Sequence, residues 1–343
     1  MGGSKRVRRL VAAVVVITAI LVPASPASAK FTIGYSGGVL TVSGTPGDDD
    51  IRVWCVSGNV WVNNKAAAGP IACASVTKLR VQGAGGNDHL DAEDTPTIDF
   101  SSLTRTVLIG GPGRDFLISG PIPTTLLGGG AGDLLVPGAG SDKLRGGPGM
   151  DGTYLRVPDS ITLTDTSAFG PSTGSDVLSG LEGIIVFADG TGPVTVDATS
   201  VTGAMDIMGF IGSPANDTYY GGYGRDLMLG GPGADHLDGG PGKFDEIDSE
   251  ADTNQTLWDT ALADGSGMVD TLVDVERATL RSGAPGNTLD ASAFSGKVEL
   301  IGAGGNDTLI GGPKADVLRG GPGTDTCSGN GGKDTIKGCE FVS

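Results

Sequence analysis

The sequence predicts an all-β protein built from stacked repeats, and three observations lead to this prediction. The 61 Gly and 19 Pro together account for 80 of the 343 residues, which nearly excludes helix bundles because both residues interrupt helices. The acidic residues comprise 33 Asp and only 7 Glu, and Asp favours turns whereas Glu favours helix surfaces. A nine-residue pattern with a recurring Asp fills much of the chain. We therefore expect short strands joined by tight, carboxylate-rich turns.

The first 29 residues have the pattern of a secretory signal peptide. A basic stretch ends at Arg9, an apolar run extends from Leu10 to Val22, and the small residues 27–29 fit a signal-peptidase site. The apolar run is shorter than the about 20 residues that a membrane-spanning helix requires. We therefore expect export, cleavage after Ala29 and no membrane span, while the choice between the general secretory and twin-arginine routes stays open.

The chain after residue 29 carries a strong negative charge. The whole sequence has a net charge of −17, and removal of the first 29 residues, which hold four cations and no anion, leaves −21. Such a charge repels nucleic acid and anionic membranes, and it destabilises a compact fold unless cations offset it. We expect no nucleic-acid partner and a bound cation.

The four cysteines predict disulfide bonds. An even number of cysteines in an exported chain favours two bridges. Of the three connectivities, we expect the sequence-local one, which pairs Cys55 with Cys73 and Cys327 with Cys339. A metal site is disfavoured because no C-x-x-C and no clustered His accompanies them.

Three tandem blocks carry the nine-residue repeat, with Asp at the sixth position of nearly every frame. The first block, residues 110–154, reads GGPGRDFLI, SGPIPTTLL, GGGAGDLLV, PGAGSDKLR and GGPGMDGTY, and further blocks start at residues 212 and 302. The aspartates at this position are Asp115, Asp133, Asp142, Asp151, Asp217, Asp226, Asp235, Asp245, Asp307, Asp316, Asp325 and Asp334. Isolated or weaker frames surround Asp49, Asp88 and Asp176, for which we favour ordinary turns.

Each nine-residue unit predicts one tight turn followed by one short strand. The glycines allow the positive φ angles of the turn, and the aliphatic residue at position eight, such as Leu117, Leu135 or Leu309, is expected to face a narrow core. One such strand cannot bury its own apolar face, so the units must stack as a solenoid.

A longer period links two β-rich lead-in segments, which begin at Ile161 and Gln255. Asp176 and Glu182 in the first recur 94 residues later as Asp270 and Glu276. With the tandem blocks, this period predicts the division 1–29 signal peptide, 30–80 amino-terminal β segment with a disulfide, 81–154 first repeat module, 155–248 second lead-in with repeats, and 249–343 third lead-in with repeats and a terminal cap.

The pattern G-G-x-G-x-D-x-U-x resembles the nonapeptide of the hemolysin-type, or repeats-in-toxin (RTX), calcium-binding family. The resemblance implies a parallel β-roll with two nonapeptides per coil, and several Ca²⁺ ions held between stacked turns by the sixth-position aspartates and by turn carbonyls. Lys314 replaces a turn glycine and Phe244 is inserted, so the frames of Asp316 and Asp245 depart from the pattern. Carried over to this sequence, the implied inter-turn pairs are Asp115–Asp133, Asp133–Asp151, Asp217–Asp235, Asp226–Asp245, Asp307–Asp325 and Asp316–Asp334.

For function, we expect a non-enzymatic extracellular structural or surface role in which Ca²⁺ binding is coupled to folding, with no catalytic residue. Two alternatives stay open. One is a calcium-dependent adhesin that binds a cell-surface or matrix glycan or protein. The less favoured one is a polysaccharide-acting enzyme that uses a lead-in acid such as Asp165, or Ser172 in a G-x-S-x-G match.

Overall fold

A computed structural model describes residues 31–63, 65–66, 69–93, 100–202 and 207–343. These ranges contain 34 β-strands and one 3₁₀-helix, Cys73–Ser75, and none of their helices is long and apolar enough to cross a membrane. The predicted signal peptide lies outside the described residues. The first seventeen strands are β1 (Thr32–Ser36), β2 (Val39–Ser43), β3 (Asp50–Val56), β4 (Asn59–Val62), β5 (Lys65–Ala66), β6 (Lys78–Gln82), β7 (His89–Asp91), β8 (Arg105–Pro112), β9 (Phe116–Ile118), β10 (Thr124–Gly130), β11 (Leu134–Val136), β12 (Lys143–Arg145), β13 (Gly152–Val157), β14 (Ile161–Thr164), β15 (Ser167–Gly170), β16 (Gly174–Ser179) and β17 (Gly183–Ala188). The others are β18 (Thr195–Ser200), β19 (Ile207–Ile211), β20 (Thr218–Tyr220), β21 (Arg225–Leu229), β22 (His236–Asp238), β23 (Glu246–Glu250), β24 (Gln255–Trp258), β25 (Ala261–Ala263), β26 (Val269–Val273), β27 (Arg277–Arg281), β28 (Thr288–Ala293), β29 (Lys297–Ile301), β30 (Thr308–Ile310), β31 (Val317–Arg319), β32 (Thr326–Ser328), β33 (Thr335–Lys337) and β34 (Phe341–Val342).

The chain divides into two compact units. The first contains the residues up to Arg156 together with Asp165–Ile185, and the second contains Val157–Thr164 and Val186–Ser343.

In the first unit, successive repeat strands alternate between two sheets. One sheet runs β1, β2, β6, β8, β10, β12 and β16, and it is parallel except for the β1–β2 pair. The other sheet places β3, β7, β9, β11 and β13 in parallel order. In the tandem block, Leu117 pairs with Leu135, a shift of two nonapeptides per coil. The predicted all-β fold and parallel β-roll are therefore confirmed.

The second unit repeats this arrangement and also accommodates a lead-in. One sheet consists of β19, β21, β23, β27, β29, β31 and β33 in that order, and all neighbouring strands in it are parallel. In the opposite sheet, β26 pairs in parallel with β22, while β24 pairs in parallel with β28. Strand β25 lies antiparallel between β24 and β26. The lead-in is thus a three-stranded meander that is inserted into the sheet without interrupting its hydrogen bonding.

The core is a narrow stack of aliphatic side chains between the two sheets of each unit. The position-eight residues have at most 2 % exposure, as the repeat pattern predicts: Leu117, Leu135, Leu144, Leu237, Leu309 and Leu318. Burial of one such leucine contributes about 1.5 to 3 kcal/mol. Each coil supplies few of these residues, so the turns must also be stabilised.

Both predicted disulfides are present, and the described residues contain no free cysteine. Cys55 in β3 is bonded to Cys73 in the 3₁₀-helix, with their Cα atoms 6.1 Å apart. Cys327 in β32 is bonded to Cys339, with a Cα separation of 6.0 Å. The second bridge ties the segment just before β34 to the last coils.

Candidate metal centre

The sixth-position aspartates lie in rows along the turns, which we call carboxylate ladders. In a ladder, the backbone N–H of each aspartate donates a hydrogen bond to the Oδ1 atom of the aspartate in the next coil. The longest ladder lies in the first unit, with bonds of 2.7 to 2.9 Å. Its members, in order, are Asp49, Asp88, Asp115, Asp133, Asp151 and Glu182.

All six inter-turn pairs implied by the family resemblance are neighbours in these ladders. The N–H to Oδ1 distances lie between 2.7 and 3.0 Å for Asp115–Asp133, Asp133–Asp151, Asp217–Asp235, Asp226–Asp245, Asp307–Asp325 and Asp316–Asp334. Asp142 instead donates to Oδ1 of Asp176 at 2.8 Å and accepts from the N–H of Thr124 at 2.6 Å. The irregular frames of Asp245 and Asp316 therefore keep the ladder geometry.

The sequence analysis did not assign several of the ladder residues to sites. Asp88 and Asp176, for which ordinary turns were favoured, have the same buried ladder position as the tandem aspartates. Asp270 accepts the N–H of Asp235 at 2.9 Å. The recurrence of Asp176 as Asp270 after 94 residues was a signal that could have identified both. Three glutamates also end ladders, namely Glu182, Glu276 and Glu340.

Most ladder aspartates retain one carboxylate oxygen without a hydrogen-bond partner. These residues are at most 2 % exposed, and their Oδ2 atoms contact no donor among the described residues. They are Asp88, Asp115, Asp133, Asp142, Asp151, Asp176, Asp235, Asp245, Asp307 and Asp325. A buried carboxylate that lacks partners is strongly unfavourable unless a cation or a proton neutralises it. The ladders therefore require either a bound cation or bound protons.

The electrostatics of the ladders lead to the same conclusion. Burial raises the pKa of Asp115 and Asp133 to about 7, because the charged form is poorly solvated there. The hydrogen bond from the neighbouring backbone N–H lowers the pKa, and the next carboxylate in the ladder raises it further. The same burial raises the pKa to about 7 for Asp88, Asp142, Asp176, Asp235 and Asp245.

The donor atoms fit a hard cation such as Ca²⁺. Within the described ranges, no three His, Cys, Asp or Glu side chains gather as a metal cluster, so a site must combine ladder carboxylates with backbone carbonyls. Backbone carbonyls lie close to the ladder carboxylates. A methyl group placed on Gly302 would lie 2.6 Å from the carbonyl oxygen of Gly320 and 2.5 Å from Oδ2 of Asp307, so both oxygens face the same small space. Calcium takes six to eight such oxygens in flexible geometry, whereas zinc prefers four ligands that include nitrogen or sulfur. When bound, Ca²⁺ would supply the positive charge that these oxygens lack.

The close approach at Gly302 yields a prediction. Gly302→Ala should destabilise the protein by about 1 to 3 kcal/mol, because its Cβ overlaps the Asp307 carboxylate and the Gly320 carbonyl. Urea denaturation at saturating Ca²⁺ measures this effect. Gly304→Ala in the same turn is the matched control, since its Cβ would have no neighbour nearer than 4.0 Å. Equal urea midpoints for the two variants would contradict the predicted steric conflict at Gly302.

The G-x-S-x-G match around Ser172 lies in a different setting from that of a hydrolase nucleophile. Residues 171–173 connect β15 to β16, which pair antiparallel with Gly170 opposite Gly174. The turn is therefore a β-hairpin connection, whereas the hydrolase motif lies between a strand and a helix.

The fold and the ladders define a class: a parallel β-roll whose turns present buried aspartates and carbonyls to cations. Comparison with protein families agrees, because the model of the RTX calcium-binding nonapeptide repeat matches four copies in residues 211–243 and 301–336. These two segments are RTX calcium-binding repeats, as the sequence resemblance predicted. No curated protein matches the chain.

Proposed function

We propose that the protein is exported, folds outside the cell as Ca²⁺ fills the ladders, and has a non-enzymatic structural or surface role there. The observation that carries this proposal is the set of buried aspartate oxygens without partners. In the protein alone they oppose folding, and Ca²⁺ at extracellular concentrations removes that opposition. The two disulfides and the signal-like first 29 residues support an oxidising compartment outside the cytoplasm.

The ladder pairs are the proposed binding sites. Asp133 is shared by two pairs, with Asp115 on one side and Asp151 on the other. Asp133→Asn keeps an oxygen acceptor for the N–H of Asp115 and removes only the charge. We expect this variant to bind two fewer Ca²⁺ ions than the wild type when binding is measured by calorimetry and equilibrium dialysis.

The matched control is Asp290→Asn. Asp290 lies off the ladders and accepts the N–H of Ser292 at 2.9 Å, so its replacement should leave the Ca²⁺ stoichiometry unchanged. Magnesium should give little heat, because Mg²⁺ demands octahedral geometry and retains its waters. A wild-type protein that binds no Ca²⁺, or an Asp133→Asn variant with full stoichiometry, would refute the proposal.

A calcium-dependent adhesin is the second candidate. Exposed aromatic side chains favour it: Tyr223 is 57 % exposed and Trp258 is 40 % exposed. Such rings stack on sugars. This role predicts binding to glycans or cell surfaces that chelator abolishes and that Trp258→Ala weakens, whereas a purely structural role predicts neither.

A further inference from the structure

Three ladders end in a glutamate rather than an aspartate. Glu182, Glu276 and Glu340 accept the backbone N–H of the last aspartate in each ladder at 2.7, 2.9 and 2.7 Å. Those aspartates are Asp151, Asp245 and Asp325. The glutamates belong to no nonapeptide frame, so a different local structure places them there.

That structure is the same three-residue turn in each case, which we call the short turn. The three copies are Gly180-Leu181-Glu182, Asp274-Val275-Glu276 and Gly338-Cys339-Glu340. Their first residues have left-handed φ angles of +56°, +47° and +61°. One of these residues is an aspartate, which adopts such an angle less readily than glycine does, so the left-handed conformation recurs even where no glycine is present.

The short turn reproduces the backbone contacts of a complete nonapeptide turn at its start. In an ordinary coil, the N–H of the first glycine donates to the residue just before the next turn, as Gly302 does to the carbonyl of Arg319 at 2.8 Å. The glycine that opens the last nonapeptide turn of each of these ladders donates in the same way, at 3.0 Å, to the residue just before the short turn. These bonds join Gly146 to Ser179, Gly239 to Val273 and Gly320 to Lys337.

The contacts at the end of the turn are also reproduced. In an ordinary coil, the residue after the aspartate donates to the carbonyl of the preceding aspartate, as Thr326 does to Asp307 at 2.8 Å. After two of the short turns, Arg277 donates to Asp245 and Phe341 donates to Asp325, both at 3.0 Å. Three residues therefore replace the six that run from the first glycine to the ladder aspartate, both included.

We call each pair of neighbouring aspartates in a ladder a rung. The oxygen atoms at the ends of the three ladders match those of an ordinary rung. Asp151, Asp245 and Asp325 are fully buried, and the Oδ2 atom of each has no partner among the described residues. A methyl group on Gly146 would meet both Oδ2 of Asp151 and the carbonyl oxygen of Gly180, as one on Gly302 meets Asp307 and Gly320. The carbonyl of the first residue of the short turn thus takes the place of the carbonyl that the first glycine of the next coil supplies in an ordinary turn.

We propose that each short turn completes a Ca²⁺ site at the end of its ladder. The ligands are the buried last aspartate, the carbonyl of the left-handed residue and the glutamate carboxylate, for example Asp151, Gly180 and Glu182. This inference rests on the proposed function, in which ordinary rungs bind Ca²⁺. It also explains the residue type, because the extra methylene of glutamate extends the reach of a carboxylate held by a shorter turn.

The test is the number of Ca²⁺ ions bound by the exported protein after the glutamates are replaced. Glu182→Gln, Glu276→Gln and Glu340→Gln each keep an oxygen acceptor for the aspartate N–H and remove the charge. We expect each single variant to bind one ion fewer than the wild type in equilibrium dialysis, and the triple variant to bind three fewer. Full stoichiometry in all variants would overturn the inference.

Two comparisons separate the possible causes of a change. Glu299→Gln is the matched control, since Glu299 forms a surface ion pair with Arg319 at 2.8 Å, and it should bind as the wild type does. Asp133→Asn tests the ordinary rungs. Loss of ions in Asp133→Asn alone refutes the end sites and leaves the proposed function standing, whereas no loss in either set refutes both.

Thermal melts distinguish a ligand from a structural cap. In chelator, the glutamine variants should melt at or slightly above the temperature of the wild type, because the hydrogen bond to the aspartate N–H is retained and one negative charge beside a buried aspartate is removed. With Ca²⁺, they should show a smaller rise in melting temperature than the wild type. An equal fall of the melting temperature in chelator and in Ca²⁺ would show that the glutamates only cap the ladders, which would overturn the inference.

Discussion

Removal of Ca²⁺ from the exported protein is expected to lower its melting temperature so far that most of its cooperative β structure is lost at physiological temperature. If each inter-turn site binds with the about 10⁻⁴ to 10⁻³ M affinity of extracellular modules, about 10 mM Ca²⁺ stabilises the fold by about 1.4 to 2.7 kcal/mol per site. Six such sites contribute about 8 to 16 kcal/mol, which is comparable to the about 5 to 15 kcal/mol that holds a whole domain together. The chelated chain also keeps the repulsion of its −21 charge.

Circular dichroism at physiological temperature during a Ca²⁺ titration, followed by chelator, measures this effect. The β signal should appear with Ca²⁺, disappear with chelator and return when Ca²⁺ is restored. NaCl at matched ionic strength is the control, because it screens the surface charge without filling the buried oxygens. A complete β signal in chelator would show that the turns are stable without the ion.

The period of nine residues, together with the two nonapeptides per coil that the family resemblance implies, was sufficient to predict the tandem part of the ladders. Neighbouring ladder aspartates 18 residues apart, such as Asp115 and Asp133, follow from two nonapeptides per coil, so their contact could be derived by counting. The identity of the buried residue at position eight followed from the same count. Both features are local consequences of one turn and one strand.

The nonapeptide pattern alone could not predict the other rungs, because their spacing depends on inserted structure. Asp88 lies 39 residues from Asp49 and 27 from Asp115, and Asp142 lies 34 residues from Asp176. In the last case the hairpin of β15 and β16 lengthens the coil before the ladder continues. The nonapeptide pattern does not specify how many residues a lead-in contains before the chain rejoins the sheet. The short turns escaped detection for a related reason, since they keep the contacts of a nonapeptide turn with half its residues.

Acidification is expected to have opposite effects on the chelated and the Ca²⁺-loaded protein. Burial raises the pKa of ladder aspartates such as Asp115 and Asp133 to about 7 in the folded protein, from an ordinary value of 3.8. Between these values the folded state binds more protons than the unfolded state, so its stability falls as the pH rises. The melting temperature in chelator should therefore increase from about pH 7.5 to about pH 5.

The Ca²⁺-loaded protein should lose stabilisation over the same interval, because each proton on a ladder oxygen must leave before the ion binds. Below pH 7 the affinity should fall about tenfold per pH unit for each proton displaced. Melts in chelator and in Ca²⁺ across this range measure both trends, and the two melting curves should converge as the pH falls. Asp133→Asn removes one of the titrating groups, so in chelator at neutral pH it should melt above the wild type and depend less on pH. A melting temperature that falls on acidification in chelator would mean that the ladder carboxylates are solvated well enough to ionise freely, and the need for a counterion at the turns would then disappear.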